Sequence, residues 1–329
     1  MTPPLRVALL GCGTVGAAVA RLMAQRAELL AQRAGRPLQL TGIAVRNVSQ
    51  PRDLPAEQAG LLTEAADALV DGADVVVELM GGIEPARSLL LRAMRQGVDV
   101  ISANKQLIAR HGEELHAVAA EHGVGLDYEA AVVAAVPVLR VVRESLAGDE
   151  ITSISGIVNG STNYVLDLVA RTGATFAEAL AKADALGYLE SDPSEDLDGI
   201  DAAAKIVILA RTAWGVSLSF DDVQCTGING LTEADFEQAR GTGQVIKLIA
   251  SAWTSGPARQ PRVELAVRPV LLAQDHPFAQ IREGGNAVVI EAASAGRVRL
   301  HGAGAGGEAT ASAVLGDLIA VARRRSRGA

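Results

Sequence analysis

Residues 5–16 read LRVALLGCGTVG. The first six form a short apolar run that suits a buried strand, and glycines follow at Gly11, Gly13 and Gly16. Gly11 permits a tight turn, Gly13 lets the backbone approach a pyrophosphate, and Gly16 permits close packing of the next helix on the strand. The first turn of that helix, Thr14 and Val15 included, offers unpaired N–H groups and a positive dipole end to phosphates. Placed after the first strand of the chain, this spacing points to a dinucleotide site; glycines that serve only a tight turn are the bland alternative.

Outward from the turn the chain keeps alternating. A helix is expected from about Thr14 to Ala34 and is stopped by GRP at 35–37. LQLTGIAV (38–45) reads as the second strand, and DVVVELM (74–80) as an unbroken apolar run inside a parallel sheet. Helix 84–96, strand 99–103, helix 106–122 and strand 125–130 continue the rhythm. This is the signature of an α/β fold with a doubly wound parallel sheet of the Rossmann type.

After Pro137 the pattern changes to that of a second, α+β domain. Residues 138–147 look helical and ITSISGIV (151–158) alternates as a half-buried strand. Helices are expected near 161–172, 175–186 and 198–214. The segments 262–272, 287–293 and 297–302 suit a mixed or antiparallel sheet, and 309–325 a closing helix. The expected division is 1–130 for dinucleotide binding, 131–302 for substrate, catalysis and dimerisation, and 303–329 for a loop and helix returning to the first domain.

A chain of 329 residues with 49% apolar residues suits two domains. Aromatics at 3% favour layered α/β packing over a β-sandwich. A net charge of −8 argues against nucleic-acid and anionic-membrane partners. The basic cluster Arg323–Arg327 reads as a solvated helix end. Two cysteines, Cys12 and Cys225, build no disulfide framework, so a cytoplasmic location is the default. The first twenty residues imitate a secretory signal, but their glycines fall at functional spacing.

Strand two runs into Val45, Arg46 and Asn47. An acid at this place would bind the ribose hydroxyls of NAD, whereas Arg46 can pair with a 2′-phosphate, so NADP is favoured with NAD as the alternative. Arg46 can equally be a surface residue at the sheet edge. Ser102-Ala103-Asn104-Lys105 follows a buried strand at the carboxyl end of the sheet, where ligands of such folds bind, and Ser102, Asn104 and Lys105 are candidates for contact with the cofactor. Lys105 beginning a helix with its charge in water is the alternative.

The run LESDPSEDLDGIDAAAK (189–205) gathers six carboxylates and ends on Lys205. Calcium is excluded, because the twelfth position of a calcium loop started at Ser194 is that lysine, where a bidentate glutamate is needed. Helix 198–214 is apolar on most of its surface, so the pair Asp201 and Lys205 at i, i+4 faces a cleft instead of open water. There Asp201 would hold Lys205 protonated, ready to give a proton or hydrogen bond to a carbonyl oxygen during hydride transfer. Asp192, Glu195 and Asp198 read as turn and cap residues.

Over nearly its whole length the chain resembles homoserine dehydrogenase. The stretches that carry the resemblance are GCGTVG (11–16), VRNVSQPR (45–52), ELMGG (78–82), SANKQLIA (102–109), YEAAVVAAVPVL (128–139), GIVNGSTNYVL (156–166), GYLESDPSEDLDGIDAAAKIVILA (187–210) and GAGAGGEATASAVLGDL (302–318). The resemblance implies reversible NAD(P)H-dependent reduction of aspartate 4-semialdehyde to homoserine, on the way to threonine, methionine and isoleucine. It implies that Lys205, oriented by Asp201, and Lys105 act at the reacting oxygen. Glu190 and Asp196 would hold the amino-acid portion of the substrate, with Asn159, Gly160 and Ser161 lining the pocket, and Gly306 in the 302–310 loop would face the cofactor. It further implies a homodimer through the second domain, and a structural sodium ion on the backbone carbonyls of Glu129, Val132, Ala134 and Val136.

Some positions depart from the family pattern. Val133 and Ala135 stand where glycines are usual, Ser161 where threonine is common, and the 302–310 loop lacks its usual prolines. A regulatory ACT domain is not expected after helix 309–325. A dinucleotide-binding regulator that has lost the chemistry is a rival of another class, against which the set Lys105, Asp201 and Lys205 speaks. Aspartate-semialdehyde dehydrogenase is a third reading, and its acylated cysteine finds no histidine near Cys225 in sequence.

Overall fold

The computed structural model describes residues 3–189, 192–256 and 262–327, and the chain forms two compact units, residues 1–135 with 306–329 and residues 136–305.

The first unit contains β1 (Leu5–Leu10), α1 (Thr14–Gln25), α2 (Ala27–Ala34), β2 (Leu38–Ala44), α3 (Ala56–Ala59), β3 (Leu62–Thr63), α4 (Ala66–Asp71), β4 (Val75–Glu78), α5 (Ala86–Arg95), β5 (Asp99–Ser102), α6 (Lys105–Glu121) and β6 (Leu126–Asp127). Every strand pair is parallel and the order is β3-β2-β1-β4-β5-β6, the doubly wound arrangement the alternating pattern requires. Strand order reverses between β1 and β4, which opens a crevice at their carboxyl ends. Apart from Arg6, β1 and β4 are buried throughout, so they read as largely apolar runs.

Two boundaries differ from the sequence expectation. The long helix divides at Arg26, whose φ of −117° and ψ of 23° leave the helical region. The strand expected over 125–130 ends at Asp127, because Glu129–Ala131 turns into a 3-10 helix.

The second unit opens with α7 (Val138–Arg140), which widens into a π-turn over Val141–Ser145. It continues with β7 (Ile151–Ile157), α8 (Gly160–Thr172), α9 (Phe176–Ala185), α10 (Ser194–Leu197), α11 (Ile200–Trp214), β8 (Val223–Cys225), α12 (Glu233–Gly241), β9 (Gln244–Ser255), β10 (Arg262–Ala273), β11 (Gly285–Ala292) and β12 (Gly296–Ala303). Its sheet is mixed, in the order β12-β11-β7-β9-β10-β8, with only β8 and β10 parallel. Helices α8 and α11 pack on this sheet. Residues 201–210 of α11 are all buried, as an apolar helix of this composition demands.

Helix α13 (Gly307–Arg327) belongs to the first unit. It places Ala311, Val314, Leu315, Leu318 and Val321 in the core that Leu5, Val7, Leu9, Val19 and Leu22 build from the other end of the chain.

Candidate active site

In the first unit the glycine turn is built as its spacing requires. Gly11 has φ +102°, and a Cβ there would lie 2.6 Å from the carbonyl oxygen of Leu79, just past β4. A Cβ on Gly16 would collide with the Gly11 carbonyl. Gly13 differs from both: among the described residues, its chain neighbours aside, nothing lies within 4 Å of where its Cβ would stand. Gly13 is also the N-cap of α1 and no side chain caps that helix, so the first N–H groups at Thr14 and Val15 point into the same opening. A Cβ on Gly307 would stand 3.0 Å from Thr14 Cγ2, so α13 begins beside the same turn, after Gly306 with φ +115°. The described residues thus form an open cradle of backbone donors that fits a dinucleotide pyrophosphate.

Arg46 is exposed immediately beyond β2. A second arginine, Arg52, is close enough to Cys12 within the turn to draw its thiol down against burial, which pushes it up. Arg52 braces its own loop by donating to the carbonyls of Asn47 and Gln50 at 2.9 and 2.7 Å. Sequence spacing singled out only Arg46; a second guanidinium six residues on was the available signal.

At the exits of β4 and β5, Ser102 is fully buried and Asn104 caps α6 by accepting from the backbone N–H of Leu107 at 3.1 Å. Lys105, half-buried, is the first residue of that helix. The group that ties these residues together was missed in sequence. Glu78, the last residue of β4, is fully buried and its Oε2 accepts from Ser102 Oγ at 2.6 Å. Burial pushes its carboxyl up, while hydrogen bonds from Ser102, Met80, Gly81 and Asn104 pull it down.

The four positions expected to bind sodium fall in residues 129–136, where the chain passes from the first unit to the second. Glu129, Val132, Ala134 and Val136 are buried, and Ala134 holds φ +45° without being glycine. The carbonyls of Glu129 and Val136 already accept turn hydrogen bonds from Val132 and Val138 at 3.5 and 2.8 Å. Among the described residues no three His, Cys, Asp or Glu side chains gather as a metal site. Nothing in the segment argues for the ion.

In the second unit α11 sets Asp201 and Lys205 one turn apart, so their side chains meet on one face. Asp201 Oδ2 is 2.8 Å from Lys205 Nζ, with side chains 3% and 11% exposed. Lys205 also donates to the carbonyl of Val158 at 2.7 Å. An ammonium has three N–H donors, so one is left without a partner among the described residues.

Asn159 caps α8 and locks the pair from the other side. Its Oδ1 accepts from the Thr162 N–H at 2.8 Å, and its Nδ2 donates to Asp201 Oδ2 at 2.8 Å and Asp196 Oδ1 at 2.7 Å. The amide is therefore spent on bracing the carboxylates. Gly160 begins α8, where a Cβ would lie 2.7 Å from the Gly284 carbonyl, and Ser161 Oγ donates to the carbonyl of Tyr188 at 2.6 Å. Asp192 forms a turn with Ser194, which holds its carboxyl below the usual range. Glu190 lies outside the described residues.

A second buried lysine backs this turn. Lys247, on β9, donates to Asn163 Oδ1 at 2.8 Å and to the Ile281 carbonyl at 2.7 Å, and stands 3.7 Å from Asp167. Burial pushes it down to about 8 against the pull of Asp167. Asn163 in turn donates to the carbonyls of Glu283 and Gly285, which fixes the segment whose Gly284 abuts Gly160.

Residues 137–319 match the family model described as homoserine dehydrogenase, and residues 11–129 that of its NAD binding domain. The chain is 46% identical to the homoserine dehydrogenase of Corynebacterium glutamicum, over 98% of this chain and 73% of that one. The chain belongs to the homoserine dehydrogenase family. It is therefore an oxidoreductase with a nicotinamide dinucleotide domain. The homoserine dehydrogenase of Bacillus subtilis is 35% identical over 98% of this chain and 74% of its own. Among solved structures, the homoserine dehydrogenase of Thiobacillus denitrificans superposes with a TM-score of 0.93 at 39% identity, covering 98% of this chain and 74% of that one. A hyperthermophilic archaeal homoserine dehydrogenase in complex with NADPH gives 0.81 at 28% identity, covering 98% of each. No described helix is long and apolar enough to cross a membrane.

Proposed function

We propose that the chain catalyses the reversible NAD(P)H-dependent reduction of L-aspartate 4-semialdehyde to L-homoserine, in the supply of threonine, methionine and isoleucine, with Lys205 as the acid. The observation that carries this is the buried pair of Lys205 and Asp201, held by Val158 and Asn159 with one ammonium N–H that has no partner among the described residues. When bound, the nicotinamide supplies the hydride to the aldehyde carbon. Charge then develops on the aldehyde oxygen, and the spare N–H of Lys205 stabilises it and delivers the proton, leaving the alcohol. In the reverse direction Lys205 takes that proton back. Asp201 and Asn159 fix the direction of the ammonium, which is where a misplacement costs most.

By the family resemblance Lys105 is assigned to the same oxygen, and Glu190 and Asp196 to the substrate ammonium group, with Gly160 and Ser161 at its side. Gly11, Gly13, Thr14, Val15, Gly16, Ser102, Asn104 and Gly306 are assigned to the cofactor. The NADPH in the archaeal relative supports a phosphorylated cofactor here, with Arg46 beside its 2′-phosphate. A homodimer formed through the second unit belongs to the same proposal.

Homoserine oxidation assayed with NAD and NADP in parallel tests the reading. Turnover is expected with a preference for NADP, and no reduction of either cofactor sinks the assignment. Lys205→Ala is expected to lower kcat on the order of 10²-fold or more.

A further inference from the structure

The ELMGG and SANK stretches leave the sheet on neighbouring strands, and one buried carboxylate joins them. Glu78 Oε1 accepts from the backbone N–H of Met80 at 2.7 Å and of Gly81 at 3.3 Å, in a turn where Gly81 and Gly82 both hold positive φ. Its Oε2 accepts from Ser102 Oγ, which itself accepts from the N–H of Asn104 at 3.1 Å. Asn104 Nδ2 closes the ring by donating to the Gly82 carbonyl at 2.6 Å. Every bond in this ring ends either in the 79–82 turn or in the residues that start the helix of Lys105.

Glu78 has no cationic partner among the described residues, so hydrogen bonds alone compensate a fully buried acid. Such a group is costly, and a neutral side chain would suffice if only one loop needed an acceptor. A carboxylate differs in accepting on both oxygens at once, which lets one rigid group hold two loops. Glutamine keeps the acceptor toward Met80 and Gly81 but turns N–H donors toward Ser102, whose hydroxyl then loses its acceptor.

We infer that Glu78 is a positioning residue for Lys105: it sets the start of α6, and with it the lysine, in register with the 79–82 turn. This rests on the reading of Lys105 given above. A loss of that register displaces the ammonium without removing it, which is expected to cost about 10-fold in kcat.

The test is a double-mutant cycle on the full chain with Glu78→Gln, Lys105→Ala and the pair, read as kcat and as the dissociation constant of NADP. Glu78→Gln is expected to lower kcat about 10-fold, and the double variant to be no slower than Lys105→Ala alone. Ser102→Ala cuts the same arm while leaving the carboxylate and its bonds to Met80 and Gly81 in place, and is expected to reproduce the kcat loss, which covers the case in which Glu78→Gln folds poorly. Multiplicative losses in the double variant, or an unchanged kcat in both Glu78→Gln and Ser102→Ala, overturn the inference while leaving the role of Lys105 intact. Full kcat in Lys105→Ala overturns that role and this inference with it.

Discussion

The two units hold their candidate residues by opposite means. In the first, the candidate cofactor cradle is made of backbone: glycines without side chains, a helix start without a side-chain cap, and one buried carboxylate that accepts hydrogen bonds. In the second, buried charged side chains position one another, Asp201 with Lys205 and Asp167 with Lys247. A backbone site tolerates no added atom at a few positions, whatever the charge that atom carries. A site of buried ion pairs tolerates changes in shape and is sensitive to any unpaired charge.

The contrast is tested most severely at Asp201. Asp201→Ala strands a buried ammonium and is expected to cost about 3–5 kcal/mol, read from urea unfolding. A cost below about 1 kcal/mol would mean that charge pairing is not what holds the second site.

Next comes Lys247. Its folded value of about 8 lies below the ordinary 10.5. Between those two the unfolded chain keeps a proton that the folded chain has released, so this group makes stability rise with pH across that window. The rise is expected to reach about 3 kcal/mol and to be missing in Lys247→Met, as measured by unfolding at pH 7.5, 9 and 10. Parallel curves for the two proteins would refute it.

In the first unit the effects turn on volume. Gly16→Ala is expected to lose about 1–3 kcal/mol, because its methyl meets the Gly11 carbonyl. Gly13→Ala, three residues earlier, is expected to change unfolding by less than about 0.5 kcal/mol while weakening NADP binding. Equal stability losses at the two glycines would erase the distinction between a packing glycine and a ligand-facing one.

The same contrast explains what the amino-acid sequence disclosed. The glycine turn was legible because backbone geometry restricts residue type, and three restrictions at fixed spacing are hard to meet by chance. The doubly wound sheet was legible because strands buried on both faces must be apolar throughout. The Asp201 and Lys205 pair was legible because charges one turn apart on an apolar helix stand out.

Glu78 was not, since an acid ending an apolar strand looks like any strand terminus until its bonds to Ser102 and Met80 are seen. Residues 215–261 gave no sequence signal, yet β8, α12 and β9 lie there. Strand β8 has only three residues, and β9 carries Lys247 near its start, fully buried against Asn163 and Asp167, which spoils the alternation expected of a half-buried strand. Partners distant in sequence leave no local periodicity.

Helix α13 has a consequence for how the molecule is made. Its Val314, Leu315, Leu318 and Val321 complete a core begun by Leu5, Val7 and Leu9, and the whole of Val136–Ala305 is synthesised in between. The unit that leaves the ribosome first is the one that closes last. At about 5–20 residues per second, the nascent first unit waits roughly 10–35 s with an apolar stripe uncovered, and a chaperone that shields it in that interval would act on a core whose last helix is not yet made.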